Sequence, residues 1–383
     1  MKIKILVCIL LSIIILSNTA VAFRFVAWAD TEDDDGQGNI ILTRASNVVK
    51  SLNPAFTIYP GDMVKCTSSN SCWQAGSAEL KTALNGGVSN GIFDKTFGTR
   101  GNHEASADSA WRALFDFSKT TTSVGATNYA FLTDDMTYSF DYGNSHFAGI
   151  DMTGGGSETM TQTQINWLDA DLTAAEKRGL KMAFIFWHGP VYTIGSHCCN
   201  GASSALIAVF NKHPIIAAGF FGHEMVLGYT HMDSGRLSGL LPSNEFEEFV
   251  VGNVGNGDNT DLLKAGRTDY ASNVAYGFVG VDVSTSSYTV SFYNYNSNTV
   301  LWSKTFIDKS ISPVPTPTPI PTPPPSTIPV CGFSTLINLD TVTFTDTSTN
   351  NPIHFDWFFG DGNNIYYTTS KTATHQYTTA AHT

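Results

Sequence analysis

The tetrapeptide Gly101-Asn102-His103-Glu104 closes an apolar and aromatic run, Gly91-Ile92-Phe93-Asp94-Lys95-Thr96-Phe97-Gly98-Thr99-Arg100. Read as a strand that runs into a sharp loop, it presents three polar side chains where a parallel sheet ends. Open α/β sheets collect ligand-binding and catalytic groups at that edge. An asparagine carbonyl ligates hard or borderline metal ions, and a neighbouring histidine donates or takes a proton. Four residues alone read equally well as a turn, so the rest of the chain decides.

Four other apolar runs end the same way. Phe23-Arg24-Phe25-Val26-Ala27-Trp28-Ala29 delivers Asp30, and Phe56-Thr57-Ile58-Tyr59-Pro60 delivers Gly61-Asp62. Met182-Ala183-Phe184-Ile185-Phe186-Trp187 delivers His188, and Ile215-Ile216-Ala217-Ala218-Gly219-Phe220-Phe221 delivers Gly222-His223. A sheet brings together residues far apart in the chain, so Asp30, Asp62, Asn102, His188 and His223 point to one shared site. Carboxylate, amide and imidazole donors together suit Fe, Zn or Mn. The roughly thirty residues from Asp30 to Asp62 fit one βαβ unit with a right-handed crossover.

In this order the motifs resemble those of the calcineurin-like metallophosphoesterases, most closely the purple acid phosphatase branch. The run Tyr138-Ser139-Phe140-Asp141-Tyr142-Gly143-Asn144-Ser145-His146-Phe147 is similar to a strand pair of that branch. Gln164-Ile165-Asn166-Trp167-Leu168-Asp169-Ala170-Asp171-Leu172 is similar to its helix before the His188 strand, and His188-Gly189-Pro190-Val191-Tyr192 also fits. The resemblance covers roughly residues 23 to 308. It implies an α/β fold: a calcineurin-like β-sandwich of two mixed sheets flanked by helices, in four layers αββα.

The resemblance also implies the chemistry. Two metals, about 3.5–4 Å apart, would clamp a phosphoryl oxygen and a metal-activated hydroxide. Asp62 would bridge them. One metal would take Asn102, His188 and His223 with Asp62, and all are present. The other would take Asp30 and Asp62 plus two positions that depart from the family. Asp30-Thr31-Glu32 stands where the family has Asp-x-His, and Gly222-His223-Glu224-Met225 where it has Gly-His-x-His. Glu32, Glu224 and His231 are open as substitutes. A soft thioether such as Met225 suits Fe, Zn or Mn poorly, so one tight and one weaker position are expected. Lys65 replaces the tyrosine of the purple branch, so no tyrosinate-to-iron colour is expected. His103 takes the role of transition-state stabilisation and leaving-group protonation. His146, His197, His213 and His231 read as structural histidines.

The ends of the chain set its context. Lys2 and Lys4, the apolar core Ile5 to Leu16 and the small-residue site Ala20-Val21-Ala22 make residues 1–22 a signal peptide. Its core is short for a membrane span, and no later stretch is long and apolar enough. A secreted or cell-surface protein is expected. Removing two lysines and no acids takes the formal charge from −12 to −14. Such an acidic chain offers no basic patch to nucleic acid and fits a small phosphate ester better than a polyanion. Export permits disulfides among Cys66, Cys72, Cys198 and Cys199, which allow three pairings.

Along the mature chain, Asn39 to Leu52, Ser77 to Leu84, 105 to 120 and Thr161 to Glu176 read as helices. Trp111, Leu114, Phe115 and Phe117 read as core. Strands are expected at Asn128–Leu132, Thr137–Tyr142 and Ser145–Met152, with a turn at Gly143-Asn144. A closing meander is expected at Gly277–Val283, Ser287–Tyr293 and Val300–Ile307.

The resemblance thus implies a metallophosphoesterase domain over residues 23–308. Residues 309–330 form a Pro/Thr-rich linker with polyproline II character. Residues 331–383, with Phe355-Asp356-Trp357-Phe358-Phe359-Gly360-Asp361-Gly362 and His375-Gln376-Tyr377, resemble a partial PKD domain, a small β-sandwich suited to cell-surface or glycan contact. Two functions follow. One is a secreted metal-dependent phosphoesterase. The other is a catalytically degenerate surface-binding or structural protein that keeps the fold.

Overall fold

The five runs become strands, and burial along each one shows what it packs against. The computed structural model describes residues 22–32, 37–64, 70–88, 91–133, 136–152, 159–196, 202–256, 263–264, 266–272, 274–309, 332–348, 355–359, 361 and 363–377. The chain divides into two compact units, Met1–Ser312 and Pro313–Thr383.

The first unit begins with β1 (Phe23–Ala27), α1 (Gln37–Leu52), β2 (Phe56–Pro60), α2 (Asn70–Leu84), β3 (Thr96–Thr99), α3 (Asp108–Leu114) and α4 (Phe117–Val124). It continues with β4 (Thr127–Phe131), β5 (Tyr138–Tyr142), β6 (Ser145–Gly149), α5 (Gln162–Lys177), β7 (Met182–Trp187), α6 (Ser204–Lys212) and β8 (Ile216–Phe221). It closes with β9 (Leu227–Met232), β10 (Phe246–Val251), β11 (Tyr270–Ala271), β12 (Gly277–Val283), β13 (Ser287–Asn294) and β14 (Val300–Ile307). One sheet has the order β14-β13-β12-β1-β2-β3, the other β11-β9-β10-β8-β7-β6-β5-β4.

The two sheets face each other across aromatic rings. Phe25 of β1 meets Phe147, Phe184 and Phe220 of the opposite sheet at centroid distances of 5.2, 5.3 and 5.5 Å. β7 is buried along its whole length, as a parallel strand covered on both faces must be. Its Met182, Phe184 and Phe186 join the core between the sheets. Its Ala183, Ile185 and Trp187 join a second core with Leu168 and Leu172 of α5 and Val209 and Phe210 of α6. On the other side, Leu42 and Val49 of α1 and Leu80 and Leu84 of α2 cover the first sheet. The four layers αββα are thus present.

Strand direction positions the site. β1, β2 and β3 are mutually parallel in sequence, with Ala27 opposite Ile58 and Pro60 opposite Thr99. β7 and β8 are parallel, with Trp187 opposite Phe221. Ala29, just past β1, bridges in parallel to Gly252, just past β10 of the other sheet. The C-terminal ends of both parallel sets therefore meet at one edge.

Most sequence-read elements appear within a few residues, but two expectations are corrected. The helix read at 105–120 is two helices. Phe115 is extended, and Asp116 caps α4 by accepting the Lys119 N–H, so the chain breaks between them. Its Trp111, Phe115 and Phe117 are buried as expected. The helix read from Ser77 begins at Asn70. α5 starts at a capping box in which Thr161 and Gln164 exchange hydrogen bonds. Among the described residues no helix is long and apolar enough to cross a membrane.

The second unit has β15 (Phe333–Asn338), β16 (Thr341–Asp346), β17 (Phe355–Phe358), β18 (Asn364–Thr368) and β19 (Thr372–Gln376). They form a three-stranded sheet β15-β16-β19 and a two-stranded sheet β17-β18. Trp357, Phe359 and Ala373 are its small core, with Phe344, Phe355 and Tyr377 against them. Leu336 and Ile337 on the edge strand β15 are exposed. Residues 1–21, 33–36 and 310–331, together with Lys65, Cys66, His197, Cys198, Cys199 and the side chain of Cys72, lie outside the described residues.

Candidate metal centre

Each of the five sequence-predicted ligands stands just past a strand end. Asp30 follows β1, Asp62 follows β2, Asn102 follows β3, His188 follows β7 and His223 follows β8. The turns are tight. Four of the seven non-glycine residues with positive φ among the described residues are Asp30, Glu32, Asp62 and His223, at 59, 36, 53 and 69°. Such backbone is sparsely populated for L-residues and concentrates at functional sites. Glycines admit it: a Cβ on Gly61 would lie 2.6 Å from His188 Nδ1, and one on Gly222 would lie 2.8 Å from Asp30 Oδ2.

Two groups of ligand atoms share Asp62. One is Asp62, His188 and His223, the other Glu32, Asp62 and His103, with the atoms of each group within 4.8 Å of one another. In the first, His188 Nε2 lies 2.9 Å from Asp62 Oδ2 and 2.9 Å from Asn102 Oδ1. His223 Nδ1 lies 3.2 Å from both Asn102 Oδ1 and His188 Nε2. An amide oxygen, a carboxylate oxygen and two imidazole nitrogens converge, a set that suits Zn, Fe or Mn. In the second, Glu32 Oε2 lies 3.2 Å from His103 Nε2. The main-chain N–H of His103 donates to Asp62 Oδ1 at 3.0 Å. These donor sets fit the metals that the sequence implied.

Asp30 stands outside both groups. Both its carboxylate oxygens accept from the His223 N–H, at 2.9 and 3.1 Å, and so tie the ends of β1 and β8 together. The Asn256 N–H donates to its carbonyl at 3.1 Å, which brings in the loop after β10.

Two supporting groups escaped the sequence reading. Glu104, fully buried, accepts four main-chain N–H bonds: Gly101 at 2.8 Å and Asp62 at 2.9 Å on Oε2, Met63 at 2.8 Å and Val64 at 3.0 Å on Oε1. One carboxylate thus buckles the Asp62 loop to the Asn102 loop. Its signal was the glutamate three residues after Gly101, the spacing of a capping box. The other is the Pro60 carbonyl, 2.9 Å from His188 Nδ1, which no side-chain motif could announce.

The centre is crowded with buried carboxyl groups. Burial first, then Asp62 and Asp30, pushes the Glu32 carboxyl up to about 9. Burial likewise raises Asp30, and it lifts Glu104 to about 7 with help from Asp62. Asp62 goes the other way. Burial opposes its ionisation, but the charge and hydrogen bond of His188, then His103, hold it below the ordinary carboxylate value. A site of this kind favours a cation.

The remaining candidates lie elsewhere. Glu224 turns away and accepts from the N–H groups of Ile194 at 2.9 Å and Gly195 at 2.8 Å. His231 pairs with Glu245 and Glu247 at 3.3 and 3.1 Å. It stands at the C-terminal end of β9, which runs antiparallel to β10, and hence at the opposite edge of the sheet. Of the three open substitutes, Glu32 alone is at the centre. His146 bridges Asp141 and Asp171, and His213 pairs with Asp169, both as structural residues.

Residues 23–227 match the family model for calcineurin-like phosphoesterase. No curated protein matches the chain. Solved structures share its fold at low identity. A purple acid phosphatase, PPD1, from yellow lupin (Lupinus luteus) seeds aligns at TM-score 0.58 and 14% identity, over 74% of this chain and 53% of that one. The chain thus spans about half the length of the lupin protein. GAP50, the anchor in the inner membrane complex of Plasmodium, aligns at TM-score 0.51 and 12% identity, over 75% and 89%. PhoD aligns at TM-score 0.51 and 10% identity, over 75% and 70%.

Proposed function

Because the chain belongs to the calcineurin-like phosphoesterase family, we propose that it is a secreted phosphoric ester hydrolase of acid-phosphatase type, acting on small phosphate esters. The observation that carries this reading is the sharing of Asp62 between two ligand groups. Bound metal ions at such a site polarise a phosphoryl oxygen and lower the pKa of water towards neutrality.

The chain's own residues supply the rest. Asp62, Asn102, His188 and His223 would hold the tighter ion and Asp62 the weaker one, with Asp30 tying the strand ends together behind them. Pro60 and Glu104 keep these side chains in place before substrate arrives, so little reorganisation is needed. His103 keeps a proton on Nε2, which faces Glu32 Oε2, and donates it to the leaving-group oxygen. The acidic chain repels extended polyanions, and a phosphate ester is drawn to the centre once cations are bound there.

The wider organisation is part of the same proposal. Residues 1–22 have the composition of a cleaved signal, which supports export. The division between Ser312 and Pro313 falls in the Pro/Thr-rich stretch and supports a linker there. The small all-β unit with its aromatic core around Trp357 supports a PKD-like module, and cell-surface or glycan contact is the role proposed for it.

One observation favours a second reading. A neighbour of the same fold, GAP50, is described as an anchor, and this chain departs from the family at Glu32 and Met225. A binding protein without catalysis is the alternative. The test is hydrolysis of p-nitrophenyl phosphate and bis(p-nitrophenyl) phosphate by the purified chain after loading with Fe, Zn or Mn. Metal-dependent release of nitrophenol supports the enzyme. A folded, metal-loaded chain that releases none supports the anchor-like reading.

A further inference from the structure

Glu32 is 4% exposed and sits in left-handed backbone at φ 36°. A long side chain adopts that conformation only when its surroundings hold it there. Its N–H donates to the Asp62 carbonyl at 3.2 Å, which fixes the turn. One carboxylate oxygen, Oε2, faces His103 Nε2 at 3.2 Å. The other, Oε1, is buried without a hydrogen-bond partner among the described residues. A carboxylate oxygen of Glu32 lies within 4.8 Å of one of Asp62. Two buried carboxylates this close offer oxygen donors to one cation, and a buried oxygen left unpaired is costly.

We propose that Glu32 is the ligand that completes the second metal position, and that with Asp62 it forms a carboxylate pair selective for manganese or magnesium over a second zinc. This rests on the phosphoesterase reading only in taking the site as a metal centre. The two positions differ in donor chemistry. The first offers the imidazoles of His188 and His223 beside an amide and a carboxylate. The second is dominated by carboxylate oxygens, because Oε2 of Glu32 holds the nearby His103 as its partner. Imidazole suits zinc and iron, whereas carboxylate oxygen suits magnesium and manganese. One centre therefore sorts two kinds of ion. Glu32 also joins the second ion to His103, so it is both a ligand and a positioning residue for that histidine.

The test is equilibrium dialysis of the full chain against zinc chloride, manganese chloride and their mixture, followed by elemental analysis and manganese EPR. In the mixture the wild type should hold both elements in equal amounts. Glu32→Gln should keep zinc and lose manganese, with affinity for the latter falling at least about 10-fold. Glu32→His should recover a second ion as zinc. Undiminished manganese in Glu32→Gln, or two zinc ions in the wild type despite competing manganese, would overturn the proposal. A thermal melt checks that the variants fold. If Glu32→Gln does not, the wild-type mixture and Glu32→His decide. A wild type that sorts ions but hydrolyses no ester would sink the phosphoesterase reading alone. One that hydrolyses esters while Glu32→Gln keeps its manganese would sink this proposal alone.

Discussion

The Nδ1 atom of His188 lies 2.9 Å from the carbonyl oxygen of Pro60, the last residue of β2. A strand end in one sheet thereby sets the tautomer of a histidine in the other. Nδ1–H donates to the carbonyl, and Nε2, turned to Asp62 and Asn102, is the nitrogen that would give its lone pair to a metal ion in place of its proton. Such outer hydrogen bonds fix ring orientation and raise ligand basicity. His188→Ala should remove the tightly held ion, so metal retained after dialysis should fall to near background. Retention at the wild-type level would place the tight position elsewhere.

Glu104 is the next test, because it is a scaffold for the ligands. Its two oxygens accept four main-chain N–H bonds from the Asp62 and Asn102 loops. Glu104→Gln keeps the shape but turns an NH₂ group towards N–H donors. A loss of about 2 kcal/mol in unfolding free energy is expected, together with weaker metal retention. Denaturant titration measures the first and dialysis the second. An unchanged midpoint would mean that the loops hold themselves.

The convergence of the strand-end side chains was legible because a parallel sheet turns sequence order into spatial proximity. Asp62, Asn102, His188 and His223 could be read from where apolar runs stop. Glu32 could be named only as one of three substitutes, since spacing says nothing about which side chain turns inward. Glu224 is adjacent to His223 in sequence, yet it points to Ile194 and Gly195. His231 was undecidable without the antiparallel course of β9. The break at Phe115 was hidden because the helical pattern of apolar residues runs through it, while Asp116 prefers to cap.

The structural histidine His146 gives a pH signature remote from the metal centre. Its Nδ1 lies 2.7 Å from Asp141 and its Nε2 2.8 Å from Asp171. Burial pulls its pKa down, but hydrogen bonds and charge from both aspartates outweigh this and raise it above the ordinary histidine value. Burial pushes Asp141 up, yet hydrogen bonds from His146 and Arg178 hold it below the ordinary carboxylate value. A raised histidine stabilises the fold fully below its unfolded pKa, and the contribution is lost as pH rises through the folded pKa. A lowered aspartate stabilises it above its unfolded pKa, and the contribution is lost on acidification through the folded value. His146→Gln should therefore cost about 3 kcal/mol near pH 6, and the cost should shrink as pH rises. Urea midpoints across pH measure it. A pH-independent difference would contradict the assignment.

Met225 offers a gain-of-function test. Its sulfur accepts from the Asn256 amide at 3.4 Å, and the Asn256 N–H is bonded to the Asp30 carbonyl at 3.1 Å. The side chain thus belongs to the loop around Asp30. Met225→His should replace a soft thioether with a borderline nitrogen donor and tighten zinc at the second position roughly 10-fold. Zinc titration followed by calorimetry reads this directly. No change in the weaker binding event would show that residue 225 does not reach the ion.

The central claim is that one carboxylate, Asp62, serves both metal positions. Asp62→Asn keeps size and hydrogen bonding but removes the shared charge. The most direct measurement is the turnover of p-nitrophenyl phosphate by wild type and Asp62→Asn, with metal per chain determined on the same samples. The account predicts metal-dependent turnover in the wild type, a fall of several orders of magnitude in Asp62→Asn, and loss of metal from both positions together. Wild-type turnover and metal content in Asp62→Asn would contradict it.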